Sequence, residues 1–300
     1  MIQARPRRAA RLVLRPGMTP EQAMRRMAGA GLRQFEVNLQ GALESDDPEL
    51  VHQMRVALRR LRTALRIFHH TSADQAQHKW DTALRALARV LGVQRDWDVF
   101  AAEILPEWHW GGPARAAVQA ALDQRRVRTN AEITSARTRV LVSELKAWLA
   151  EPGEYAGKAA LRDYAGRRLE QLEAQALKAS KPRAEPFAKL GDRQRHHVRI
   201  RIKLLRYAAE AFGTLFDAGR VTPYTELLRQ LQESLGKLTD IKSAQTILGK
   251  LAVEKAERNS ARKWLRHQKA KWLEQAAADF ARARAASAFW RHNRTGESHV

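Results

Sequence analysis

Apolar residues recur at Met54, Leu58, Leu61, Leu65 and Phe68 within VHQMRVALRRLRTALRIF (residues 51–68), the i, i+4, i+7 spacing of a helix that buries one face. Helix-forming Ala, Leu, Arg, Gln and Glu dominate the rest of the chain, and alternating Val/Ile/Thr runs of strand length are scarce. Thr19-Pro20-Glu21-Gln22 offers an N-cap, a first-turn proline and a capping-box glutamine; Asp47-Pro48-Glu49 opens the 51–68 helix in the same way. Further helix boundaries are predicted at Ser72, Gly92, Gly111-Gly112-Pro113, Glu151-Pro152-Gly153, Lys181-Pro182, Pro186 and Thr222-Pro223. Residues 113–150 and 255–291 read as long helical patterns without an internal proline. The predicted fold class is all-α.

The pattern repeats. RHHVRIRIKLLRYAAEAF (195–212) lies under 51–68 without gaps at an offset of 144. His196 falls under His52, Arg199 under Arg55, Lys203 under Arg59, Arg206 under Arg62 and Phe212 under Phe68. The same offset sets LGKLTDIKSA (235–244) under LGVQRDWDVF (91–100), matching Leu-Gly and also Asp240 with Asp96. Two helical halves are therefore expected, about 19–150 and about 158–291, each with the sequence for about four helices. A basic segment (1–18) precedes them and a tail (292–300) follows.

Charge sharpens this picture. Against 54 Lys+Arg stand 32 Asp+Glu, a formal net charge of +22, which repels itself unless a polyanion offsets it. Nucleic acid, an acidic membrane surface and polyphosphate all fit that requirement. The absence of cysteine excludes disulfides, thiol nucleophiles and zinc–thiolate sites. The Arg-rich start lacks a signal peptide's apolar run, and no stretch approaches the ~18 apolar residues of a membrane span. A soluble, cytoplasmic protein is expected.

The 51–68 helix also carries a second stripe: His52, Arg55, Arg59, Arg62 and Arg66. It covers roughly 80° of the wheel, centred about 115° from the apolar stripe. Cations at helical spacing ordinarily form a solvated face, but here the stripe borders the buried side, and 51–68 contains no acid at i+4 to neutralise it. The second half repeats it as His196, Arg199, Lys203 and Arg206, ending in Glu210 where the first has Arg66. Packed about a pseudo-twofold, the halves would turn both stripes toward one cleft. A line of cations about 21 Å long matches a line of anions better than one nucleotide, and the arginine fork pairs bidentately with phosphate. Tyr207 lies beside the second stripe, and Arg125, Arg126 and Lys269 are secondary candidates. These features specify a linear polyanion and go no further.

HQMRVALRRLRTALRIF, LGVQRDWDV and HHVRIRIKLLRYAAEAF together resemble the conserved histidine α-helical domain family, CHAD, over about 15–291. The resemblance implies two pseudo-symmetric four-helix bundles around a basic central cavity. It also implies binding of inorganic polyphosphate and association with polyphosphate granules and their proteins. The family motif positions fall on His52, Arg55, Arg59, Arg62, His196, Arg199, Lys203 and Arg206. Some members carry a triphosphate-hydrolysing tunnel of β-strands; nothing strand-rich precedes residue 19, so a stand-alone member is expected, a binder and not an enzyme, without cofactor or metal.

Two rival readings bear on the same residues. A metal-dependent phosphohydrolase would need converging His and Asp ligands, yet the histidines are scattered and no His-Glu-x-x-His occurs. Asp96 and Asp98 flank Trp97, but Lys242 falls under Asp98, and helix capping after Gly92 accounts for Asp96. Nucleic-acid binding fits the charge, but the basic positions lack interleaved aromatics for base stacking and no recognised motif appears.

Overall fold

The computed structural model describes residues 5–10, 12–45, 47–68, 76–107, 112–151, 160–178 and 187–291. Among them lie nine α-helices and no strand: α1 (Pro20–Glu44), α2 (Pro48–Ile67), α3 (Ala76–Val99), α4 (Gly112–Ile133), α5 (Ala136–Ala150), α6 (Leu161–Glu173), α7 (Asp192–Phe212), α8 (Ala218–Leu248) and α9 (Lys255–Ala285). The expected breaks at Ser72, Gly111, Pro152-Gly153, Lys181-Pro182 and Pro186, and the 292–300 tail, lie outside the described residues.

The chain divides into two compact units. The first holds 1–12, 19–158 and 243–261; the second holds 13–18, 159–242 and 262–300. Residues 243–261, which the repeat assigns to the second half, thus cluster with the first, and α8 and α9 each contribute residues to both units. The repeat is visible in the helix starts. α2 begins at Pro48 and α7 at Asp192, the offset of 144, while the pairs α3/α8 and α4/α9 begin within two residues of it.

In the first unit Thr19 and Gln22 form the capping box of α1, and the Asp47 carboxylate accepts from the Glu49 amide 2.8 Å away. The apolar stripe of α2 is the core: Met54, Leu58, Leu61, Leu65 and Phe68 are each at most 1% exposed. α1 packs closely on α2 at Gly31, where a Cβ would stand 3.1 Å from the Leu61 backbone nitrogen and 3.2 Å from the Ala57 carbonyl. Gly31→Val is therefore expected to cost about 1–3 kcal/mol of overpacking; a urea midpoint unchanged from wild type would refute that. Two expected boundaries are corrected here. α3 runs unbroken through Gly92, because Leu91 and Gln94 anchor that turn in the core and a lone glycine costs a helix only about 1 kcal/mol. The 113–150 pattern is two helices: Ser135 N-caps α5 by accepting from the Thr138 amide at 3.1 Å, a fresh start that needs neither glycine nor proline.

In the second unit Val198, Ile202, Leu205 and Phe212 face inward from α7, and Phe187 stacks on Phe280 of α9 at 5.1 Å. α8 starts at Ala218 and carries Pro223 inside it, so the expected break at Thr222-Pro223 is also corrected. The proline removes one backbone bond close to the helix start, where Thr222 and Thr225 hydroxyls donate to the Ala218 and Val221 carbonyls. Leu14 is buried beside α7, exchanging hydrogen bonds with the Thr214 hydroxyl at 3.1–3.2 Å.

Candidate functional site

Burying the apolar stripe of α2 fixes where its cations go: His52, Arg55, Arg59, Arg62 and Arg66 are all half-buried along the flank of the core. Partial burial pushes the His52 imidazole below its usual range, and cations on both flanking elements, Arg95 of α3 and then Arg55 and Arg59 of α2, add to the effect against Glu49. Its Nδ1 is buried and makes no hydrogen bond. The far end of the stripe differs. The Arg62 Nε donates to the buried Asp81 carboxylate of α3 at 2.8 Å, and Arg85 approaches the other oxygen at 3.7 Å. Burial likewise pushes the Arg66 guanidinium down, opposed by Asp81. The acid missing from residues 51–68 is thus supplied by the next helix.

Arg95 and Asp98 complete the first-unit site, and neither follows from the α2 stripe alone. Burial raises the Asp98 carboxyl, opposed by a 2.8 Å hydrogen bond from Gln94 and by the charges of Arg95, Arg126 and His52. Asp98 and Arg126 line a small cavity with Gln94, Thr129 and Asp47; its volume of about 20 Å³ admits one water. Arg125 stacks over the Trp97 ring at 4.8 Å with its Nε buried and without a hydrogen bond; burial and then Arg128 lower its pKa. Asp96 does not cap a helix: it lies within α3, exposed, and accepts from the Ser243 hydroxyl at 3.2 Å.

In the second unit Arg199, Lys203, Arg206 and Tyr207 are half-buried and His196 is exposed. Burial and the cations Arg199, Lys242 and Lys203, with His197, lower the His196 pKa. Arg206 is tied down: its Nε donates to Gln232 at 2.9 Å, it pairs with Glu210, and its guanidinium lies 4.3 Å from the Tyr207 ring centroid. Lys269 of α9 reaches Asp192 at the start of α7, 3.0 Å away. The two sites differ in charge beside the histidine: His52 interacts with the Asp98 carboxylate, whereas His196 feels the cation Lys242 at the corresponding position. Among the described residues no three His, Asp or Glu side chains converge on a metal position, and no helix is long and apolar enough to cross a membrane.

The depressed His52 fixes the sign of a pH effect. Its pKa in the folded chain lies below the unfolded value of 6.5, so acid favours the unfolded chain, which binds the proton more readily. The cost is absent above pH 6.5 and grows as pH falls through 6.5 toward the folded pKa. Urea midpoints are expected to fall over that window and to fall less in His52→Gln; identical profiles would refute the assignment.

An all-α chain with a cation stripe on corresponding helices of two units defines a class of basic, internally repeated helical proteins. The sequence matches the CHAD domain family over residues 26–249, and the chain belongs to that family. It is similar to the crystal structure of the CHAD domain from the plant Ricinus communis, with 28% identity, a TM-score of 0.78 and coverage of 95% of this chain and 98% of that one. PptA from Streptomyces chartreusis has the same fold at 18% identity and a TM-score of 0.63, over 88% of this chain and 98% of that one. No curated protein matches the chain.

Proposed function

We propose that this chain binds inorganic polyphosphate without turning it over, through the α2 and α7 stripes, and that binding brings it to polyphosphate granules. The observation that carries the reading is the crowding of cations around a half-buried histidine, His52 among Arg55, Arg59 and Arg95. A linear phosphate chain would relieve that repulsion and draw the imidazole pKa upward against the effect of burial. Nucleic acid is disfavoured because the stripes carry no run of exposed aromatics for bases to stack on: Trp97 is buried, and Tyr207 is half-buried with Arg206 over its ring.

Long-chain polyphosphate is expected to raise the melting temperature. A ligand at a hundredfold excess over its Kd stabilises the folded state by about 2.7 kcal/mol, and orthophosphate, which meets one or two cations, should do far less. An unmoved melting curve at saturating polyphosphate would sink the proposal. Incubation with polyphosphate and magnesium is expected to release no orthophosphate above background. Turnover that disappears in His52→Ala, Asp96→Asn or Asp98→Asn would establish a metal-dependent phosphohydrolase instead.

A further inference from the structure

We infer that the outer face of α9 extends the polyphosphate track beyond the α7 stripe and confers a preference for long chains; this rests on the function proposed above. From residue 258 to residue 273 the chain contains no acid. Within that stretch Arg262, Lys263, Arg266, His267 and Lys271 are all exposed, and they fill about half the helical wheel over a length of about 14 Å. Ala261 and Leu265 are buried on the other side. Arg262 and Arg266 stand four residues apart, as do Lys263 and His267, an arrangement that weakens a helix when both members are charged. Among the described residues Arg262, Lys263 and Arg266 form no ion pair, in contrast to Arg229 of α8, which holds both Glu226 and Glu233.

The position of Lys269 links this face to the site already described. Lys269 flanks the exposed cations, and its Nζ lies 3.0 Å from the Asp192 carboxylate. Asp192 opens α7 and shares a helical face with His196, Arg199 and Lys203, so α9 passes the start of the α7 stripe. A phosphate chain leaving that stripe at His196 meets the α9 cations next. The occupant is a bare phosphate chain because Trp264 and Trp272, both half-buried, fall outside the half of the wheel that the cations fill, so no ring is interleaved with them for a base to stack on. The apolar side of α9 is committed to the protein core and cannot enter a bilayer.

The test titrates the full chain and the triple variant R262Q/K263Q/R266Q with tripolyphosphate and with long-chain polyphosphate. All three positions are exposed helix sites and glutamine is a good helix former, so folding, checked by circular dichroism, is expected to be unchanged. The triple variant should bind long chains at least tenfold more weakly while its affinity for tripolyphosphate stays the same. The slope of log K against log salt for long chains should fall by about 2, at roughly 0.7 per lost phosphate contact on a single strand. Binding of long chains by the unaltered protein with no loss in the variant would overturn this inference alone. No binding of either ligand by the unaltered protein would overturn the proposed function and this inference with it. A loss confined to single-stranded DNA or to phosphatidylglycerol vesicles would assign the face to that partner and overturn it as well.

Discussion

Reversing the charge at both Arg55 and Arg199 is expected to weaken long-chain polyphosphate binding by at least a hundredfold. The same change at Arg5 and Arg8 should weaken it only a few-fold. Both double variants alter net charge equally, so a diffuse electrostatic cloud predicts similar losses. Arg5 and Arg8 are exposed in the irregular N-terminal segment, whereas Arg55 and Arg199 are half-buried within the stripes. A half-buried guanidinium that contacts phosphate contributes charge-assisted hydrogen bonds worth about 1.5–3 kcal/mol. Losing two such contacts amounts to about 3–6 kcal/mol, and each 1.4 kcal/mol is tenfold in affinity. The exposed pair acts only through a field screened over about 8 Å at physiological salt. Titration by anisotropy or calorimetry at fixed salt checks the ratio. Equal losses from the two pairs would reduce the stripes to ordinary surface charge.

Phe68→Ala and Phe212→Ala are each expected to destabilise the chain by about 3–5 kcal/mol. Both rings are fully buried at the ends of α2 and α7, and Phe212 packs edge-on against Tyr164 at 6.4 Å. Such a loss is a large part of a typical total stability of about 5–15 kcal/mol, so urea midpoints should move far. Losses below about 1 kcal/mol would mean that the surrounding side chains collapse into the space, and that these two positions are not the anchors of the cation-bearing helices.

Features carried by one helix are legible in the sequence. The caps at Thr19 and Asp47, the buried faces of α2 and α7, and their common start offset all follow from local spacing. Features that require two helices are not. Arg62 meets Asp81 across 19 residues of sequence, and the cation that most depresses His52 is Arg95, from α3. Periodicity on α2 says which side its arginines occupy but not which acid the neighbouring helix brings there. The break between α4 and α5 is hidden for a different reason: a serine N-cap starts a new helix without interrupting the run of good helix formers. Of the secondary positions, Arg126 gathers near Asp98 and His52, and Lys269 gathers at Asp192, both through packing that the repeat alone does not encode.

The passage of α8 and α9 through both units has a consequence for how this molecule can be dissected. A polypeptide ending at residue 150 carries the whole first repeat, yet it omits Ile247, Leu248 and Leu251, which belong to the first unit and are buried. Such a fragment would expose that part of its core to water and lack the Ser243 hydroxyl that Asp96 accepts from. The inherited module and the independently stable module are therefore different lengths of chain. A minimal first unit would have to graft residues 243–261 onto its own C-terminus, and autonomy of the bare N-terminal half is not a property this architecture supplies.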